Sequence, residues 1–60
     1  MNRINESWIK GILEKHGCDL IDYVSECRVL WKNPAGIEHV WDIAVISNLT
    51  ESAWDYWKIH

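Results

Sequence analysis

The turn segment Asn33-Pro34-Ala35-Gly36 constrains the fold of this chain more than any other stretch. Asn is favoured at the first position of a type I turn, and Pro supplies the fixed φ that the second position needs. Gly36 then accepts the left-handed conformation that closes a three-residue hairpin loop with a bulge. We therefore predict an antiparallel β-hairpin whose strands cover roughly residues 23–32 and 37–47.

The turn also determines which residues of the two strands lie opposite each other. Counting outward from the turn places Lys32 opposite Glu38. The same count places Arg28 opposite Asp42, so both cations of the first strand meet acids. Cross-strand pairs of opposite charge each stabilise a sheet by about 0.2–1 kcal/mol, which supports this register. The remaining predicted pairs are Leu30–Val40 and Val24–Ile46 on the charged face, and Trp31–His39, Val29–Trp41, Cys27–Ile43 and Ser25–Val45 on the other, with Tyr23 beyond them.

An all-α small bundle is the alternative fold. Residues 19–31 also fit a helix that Asp19 would cap. Apolar residues recur at helical spacing there, namely Leu20, Val24, Cys27 and Trp31. Periodicity alone does not separate the two structures, but the turn chemistry and the charge register favour the hairpin.

Two amphipathic helices are predicted to flank the hairpin. The first covers about residues 5–16, and Gly17 provides a left-handed stop after its last turn. Its apolar face consists of Ile4, Trp8, Ile12, Ile9, Leu13 and His16. The second helix begins near Asn48 or Thr50, because Asn48 and Glu51 fit a capping pair. Its apolar line consists of Leu49, Ala53 and Trp57, with Trp54 beside them.

The predicted fold is a single small α+β domain, residues 1–60, with the order helix, strand, strand, helix. A domain of this size buries only about 60% of its unfolded surface, so the core is small. The chain has five Trp and no Phe, and we expect Trp8, Trp31 and Trp41 to fill the core. The second hairpin face and the strand edges then lack cover. We expect residues 18–22 to fold over that face, or a partner or second copy to contact it.

Charge and targeting features restrict the partners. Nine acidic against six scattered basic residues give a net charge of −3, which disfavours nucleic acid. The first residues lack the apolar core of a secretory signal, and the longest uncharged stretch is too short to span a bilayer. We therefore expect a cytoplasmic protein with no membrane partner, and buried free thiols at Cys18 and Cys27.

The candidate chemical groups do not form a recognisable site. His16, Cys18, Cys27 and His39 are residue types that zinc accepts, but their spacing does not match the usual ligand pairs. Cys27 near His39 would supply a nucleophile and a base, yet no oxyanion donor or cleft is indicated. The glycines are isolated, so a phosphate-binding loop is not indicated either. We expect no catalytic residue, no metal, no cofactor and no enzymatic activity.

The favoured hypothesis is a small intracellular protein-binding module that occupies a surface of a larger partner, as an inhibitor, antitoxin or adaptor does. Trp and Tyr anchor protein interfaces, and this chain has more of them than one small core needs. The predicted contact residues lie on the last helix and are Trp54, Tyr56 and Trp57, with Glu51 and Asp55 as a charged rim. The alternative for Trp54 and Trp57 is that one or both pack the last helix onto the hairpin as core residues. Small inhibitors of this kind are often carried by phages and mobile elements, an origin that only the length of the chain suggests.

Two alternative functions stay open. The first is a single-stranded nucleic-acid-binding protein that stacks bases on the sheet residues Trp31, Trp41 and Tyr23. The second is a homodimer with a structural role. The net charge argues against the first, and the sequence does not determine the oligomeric state.

Overall fold

The computed structural model describes the backbone of residues 6–60 and the side chains of residues 8–60. Its elements follow the order α1 (Glu6–Lys15), β1 (Asp19–Tyr23), β2 (Arg28–Lys32), β3 (Glu38–Asp42), α2 (Ile43–Asn48) and α3 (Glu51–Trp57). Within this part of the chain the strands form one antiparallel sheet in the order β1-β2-β3. The predicted α+β class of a single small domain is confirmed, and the all-α alternative is wrong.

The predicted turn is present between β2 and β3. Gly36 N–H donates to the Asn33 carbonyl oxygen at 2.9 Å, and Asn33 N–H donates to the Ile37 carbonyl oxygen at 3.0 Å. Ile37 N–H also donates to the Asn33 side-chain oxygen at 2.9 Å. Gly36 has a φ of +86°, the left-handed conformation that this loop requires. The hairpin prediction is therefore confirmed at its turn.

The register of β2 against β3 is the predicted one along the whole of both strands. The pairs are Arg28–Asp42, Val29–Trp41, Leu30–Val40, Trp31–His39 and Lys32–Glu38. Arg28 Nε lies 3.1 Å from Asp42 Oδ1 in an exposed ion pair, as the charge pattern predicts. Val29 and Trp31 are fully buried, so their side of the sheet faces the core.

The predicted continuation of the last strand to residue 47 is wrong, because residues 43–48 form α2. The outer strand pairs Ser25–Val45 and Val24–Ile46 are therefore wrong as well. The predicted neighbours Cys27 and Ile43 do meet, because Ile43 N–H donates to the Cys27 carbonyl oxygen at 2.7 Å, and the ladder ends there, where the helix begins. A helix places Ile43 and Ile46 on one side, where both are buried, whereas a strand would point them to opposite faces. Burial of both side chains thus favours the helix.

A third strand, β1, extends the sheet beside β2. It pairs through Asp19–Lys32, Leu20–Trp31, Asp22–Leu30 and Tyr23–Val29, and the register shifts between Leu20 and Asp22. The chain reverses over residues 24–27, where Val24 N–H donates to the Arg28 carbonyl oxygen at 3.1 Å. The predicted strand over residues 23–32 is therefore too long. The expectation that residues 18–22 fold over the open face is also wrong, because this segment joins the edge of the sheet instead.

The first helix ends as predicted. α1 runs to Lys15, and Gly17 with a φ of +77° follows its last turn. Only Gly and a few polar residues adopt this backbone conformation readily, which explains the stop. The predicted helix start at Asn5 and the predicted face residue Ile4 lie outside the described residues.

The side of α1 that faces the core differs from the predicted one. Ile9 and Leu13 are fully buried and His16 is 7% exposed, whereas Trp8 is 49% exposed. The prediction that Trp8 fills the core is therefore wrong. Compared with the predicted orientation, α1 turns Ile9, Leu13 and His16 toward the core. Trp8 then lies at the edge of the buried face of the helix.

The last helix begins after Thr50. Thr50 Oγ1 accepts the Ala53 N–H at 3.2 Å, so Thr50 is the N-cap of α3. The predicted capping pair of Asn48 with Glu51 is wrong, because Asn48 belongs to α2. Its Nδ2 donates to the Ala44 carbonyl oxygen at 2.8 Å instead.

The core lies between the helices and one face of the sheet. Its buried apolar members are Ile9, Leu13, Cys18, Val29, Trp31, Ile43, Ile46 and Trp54. The opposite face carries Leu30 and Val40 between the charge pairs, and Val40 is 52% exposed. Among the described residues, no helix covers this second face.

Candidate functional site

A cluster of aromatic rings centres on Trp31, which β2 directs into the core. Its ring centroid lies 5.0 Å from that of Trp41 and 5.5 Å from that of Trp54, and both pairs meet edge to face. Aromatic pairs of this geometry contribute about 0.5–1.5 kcal/mol beyond the burial of their area. The cluster therefore forms a rigid base for the rings that lie nearer the surface.

A row of four rings leads from this cluster to the solvent. The centroids of Trp41 and Trp57 are 4.9 Å apart, and those of Trp57 and Tyr56 are 5.0 Å apart, both in edge contacts. Tyr56 then stacks on His60 at 4.0 Å, with the two rings nearly parallel. Trp41 and Trp57 are half-buried, whereas Tyr56 is 52% exposed and His60 is exposed. We call Trp41, Trp57, Tyr56 and His60 the aromatic row.

The hairpin turn holds the aromatic row in place. Asn33 is 4% exposed, and its Nδ2 donates to the Trp57 carbonyl oxygen at 2.8 Å. The same side chain accepts a hydrogen bond from Ile37 N–H, so one amide group joins the turn to the end of α3. A hydrogen bond of 2.9 Å joins His60 Nδ1 and the Tyr56 carbonyl oxygen one helical turn earlier. These bonds tie the end of α3, which carries the two exposed rings, to the hairpin turn.

Two of the predicted contact residues, Tyr56 and Trp57, lie in the aromatic row. The prediction omitted Trp41 and His60. His60 follows Tyr56 by four residues, the spacing at which side chains meet on a helix, so this contact was detectable in the sequence. Trp41 reaches the row only because α3 packs beside β3, and that is a tertiary contact with no local signal.

Trp54, the third predicted contact residue, is a core residue. It is 2% exposed, and its ring stacks on that of His16 at a centroid distance of 4.5 Å with an interplanar angle of 11°. Helix geometry separates Trp54 from Tyr56 by about 200° around α3, so the two rings point in opposite directions. Trp54 is thus not part of the exposed surface.

The predicted rim residues Glu51 and Asp55 are exposed and lie away from the aromatic row. Glu51 pairs with Lys15 at 3.8 Å, and Asp55 pairs with Lys58 at 3.6 Å. Asp55 precedes Tyr56 by one residue, which places it about 100° around the helix. These carboxylates line the side of α3 that faces the end of α1. Their ion pairs are exposed, and exposed ion pairs contribute little to stability.

His39 lies among the rings of the cluster. Its centroid is 4.9 Å from Trp31, 5.3 Å from Trp57 and 5.7 Å from Trp41. Within the described residues, His39 Nε2 and Trp31 Nε1 are buried and have no hydrogen-bond partner. The imidazole therefore acts here as a packing group between indoles.

The remaining candidate groups of the sequence are His16 and the two thiols. Burial lowers the pKa of His16 from its usual value of 6.5, and burial also raises the pKa of the Cys18 thiol. Both thiols are free, Cys18 buried and Cys27 exposed, so the expectation of a buried Cys27 is wrong. In residues 6–60 no group of three or more His, Cys, Asp or Glu side chains is arranged to hold a metal ion.

The fold and the site together define a small Trp-rich α+β protein with an aromatic row at its surface. No helix of the described chain is long and apolar enough to cross a membrane. Comparison of the chain with protein-family models, with curated proteins and with solved structures finds no match.

Proposed function

We propose that this chain is a small protein-binding module that occupies a surface of a larger partner through the aromatic row. The observation that carries this proposal is the exposure of Tyr56 and His60 at the end of a line of rings that is rooted in the core. Tyr and Trp are enriched at the energetic centres of protein interfaces.

The row suits binding because it is ordered before a partner arrives. Fixing a mobile side chain at an interface costs about 0.5–1.5 kcal/mol, and a ring that is already stacked avoids much of that cost. Tyr56 is held by Trp57 on one side and by His60 on the other. A partner that buries Tyr56 would therefore gain contact area at a small entropic cost.

The mode of action that we propose is occlusion of a partner surface, as an inhibitor, antitoxin or adaptor does, in a cytoplasmic setting. Three of the four rings of the row are indoles or a phenol, which supply contact area at an interface. We therefore propose binding rather than catalysis.

The nucleic-acid alternative depended on stacking bases against the sheet. Trp31 has no exposed surface, and Trp41 packs against both Trp54 and Trp57 of α3. An accessible aromatic face is what sequence-tolerant stacking requires. Because these sheet rings are covered, we propose a protein partner rather than a nucleic acid.

The test is capture of the partner from native cell extract with the immobilised protein, comparing wild type with Tyr56→Ala. Trp8→Ala is the matched control, because Trp8 is a similarly exposed aromatic residue on α1. We expect wild type and Trp8→Ala to retain the same protein. Tyr56→Ala should retain about thirtyfold less, the loss typical of a central interface residue. Equal capture by all three proteins, or capture of nothing by wild type, would refute the proposal.

A further inference from the structure

The outer edge of β3 presents backbone groups that no described strand pairs. Ile37 and Ile43 flank β3, and both direct backbone groups toward the β2 side, through hydrogen bonds with Asn33 and Cys27. Backbone groups alternate along an antiparallel strand, so every second residue from Ile37 points toward β2 and the residues in between point away from it. The N–H and C=O groups of Glu38 and Val40 therefore face outward.

The two edges of the sheet differ in how well they accept another strand. β1 has a register shift between Leu20 and Asp22, and such a bulge bends the strand and disrupts further pairing. β3 pairs with β2 without interruption from Glu38 to Asp42. The regular edge of β3 is therefore the better template for strand addition.

The side chains of β3 that lie on the open face of the sheet form an alternating pattern of charged and apolar groups. Val40 is 52% exposed and lies between Glu38 and Asp42 on the open face of the sheet. Asp42 is bonded to Arg28 at 3.1 Å. Glu38 has no ion pair with any described residue, although Lys32 lies opposite to it in the register. A complementary strand would supply a cation next to Glu38 and an apolar side chain next to Val40.

A second copy of this chain does not match that pattern. Pairing β3 with β3 of another copy around Val40 places Glu38 of each copy opposite Asp42 of the other. Like charges directly opposite each other destabilise a sheet. Edge acids of this kind commonly prevent self-association.

We infer that the β3 edge binds an extended basic segment of the partner protein by strand addition. The segment would place cations opposite Glu38 and Asp42 and an apolar side chain opposite Val40. Its intervening side chains would lie on the other face of the sheet, beside His39 and Trp41, because strand side chains alternate. This inference rests on the proposed function, and it specifies the chemistry of the bound segment.

The probe is the synthetic peptide Ser-Lys-Leu-Val-Leu-Lys-Ser, titrated into isotope-labelled protein while amide resonances are followed. One control peptide carries Glu in place of both Lys residues, and the other carries Pro in place of Val. We expect the Lys peptide to shift the amide resonances of Glu38 and Val40 most strongly. The Pro peptide lacks a ladder N–H and should bind more weakly.

The decisive variant is Glu38→Lys, because it reverses one charge that no described residue pairs. It should lower the affinity for the Lys peptide by about fivefold to tenfold and raise the affinity for the Glu peptide by a similar factor. Glu14→Lys on α1 is the matched control, since it changes the net charge equally at an exposed helical site. It should leave both affinities unchanged. A circular dichroism spectrum and melting curve of each variant confirm that it is folded.

Three outcomes would overturn the inference. They are equal affinity for the Lys and Glu peptides, equal effects of Glu38→Lys and Glu14→Lys, and a dimer in sedimentation that Glu38→Lys alters. These outcomes leave the proposed function standing if the captured protein still depends on Tyr56. Conversely, a failed capture with charge-dependent peptide binding would refute the proposed function and retain the edge site.

Discussion

His16 and Trp54 stack face to face where the end of α1 meets α3, with ring centroids 4.5 Å apart. The contact joins the two longest helices of the described chain across the core, and both rings are buried. An imidazole in this position must lose most of its hydration, which disfavours its protonated form. The stability of the protein is therefore coupled to pH at this point.

The first prediction is that acidification destabilises the protein through His16. Burial is the main cause of its lowered pKa, Lys58 and Lys15 lower it further, and Glu51 and Asp55 oppose them. The unfolded chain takes up a proton below about pH 6.5 while the folded chain resists it, so stability falls as the pH drops below that value. The melting temperature at pH 7.5 and pH 5.5 measures this loss.

His16→Phe is the control for this prediction, because it keeps a ring against Trp54 and removes the titrating group. The two proteins differ only at position 16, so the comparison isolates this side chain. Between pH 7.5 and pH 5.5, the melting temperature of the wild type should fall more than that of His16→Phe. Equal losses would contradict the prediction.

The second prediction separates the core ring from the surface ring of α3. Trp54→Ala should destabilise the protein by about 3–5 kcal/mol, because it empties a core site, and a domain this small would then be largely unfolded. Tyr56→Ala should cost about 0.5 kcal/mol, since Tyr56 is half exposed. Urea denaturation followed by circular dichroism measures the loss in Tyr56→Ala, and the circular dichroism spectrum without urea shows whether Trp54→Ala still folds. Similar losses from the two substitutions would contradict the assignment of Tyr56 to the surface.

The third prediction concerns two glycines with opposite roles. Gly36→Ala should destabilise the protein by about 1–2 kcal/mol, because the φ of Gly36 is +86° and an L-residue is strained there. Gly11→Ala should stabilise it by about 0.5–1 kcal/mol, since this site is helical and a methyl group meets nothing within 4 Å. Thermal melts of the two variants test the signs. Destabilisation by Gly11→Ala would show a contact that the structure lacks.

The β2–β3 hairpin was predictable because its determinants are local. A turn of four residues specifies the loop, and the loop specifies the pairing of Arg28 with Asp42 and of Lys32 with Glu38. Charge complementarity then tests the register independently. The aromatic–imidazole pair of Trp31 with His39 follows from the same count.

The other elements depend on tertiary contacts that short-range patterns do not contain. Residues 43–46 are a short continuous apolar run, which fits a buried strand as well as a helix, and the observed burial of both Ile43 and Ile46 favours the helix. β1 contains a bulge, which breaks the alternation that would have identified it. The sequence pattern places Trp57 on the apolar line of the last helix with Trp54 beside it, whereas tertiary packing buries Trp54 and leaves Trp57 half-buried. The hydrogen bond from Asn33 to the Trp57 carbonyl oxygen holds the end of α3 and has no local signal either.

That single amide has a thermodynamic consequence for any ligand of the aromatic row. Asn33 and Trp57 are distant in sequence, so the row exists only after the hairpin has closed and α3 has docked. A ligand of the row thus binds the folded chain and not the unfolded one, and at one hundred times its Kd it would add about 2.7 kcal/mol of stability. For a domain whose core contributes only a few kcal/mol, the partner would be a substantial part of what keeps the chain folded.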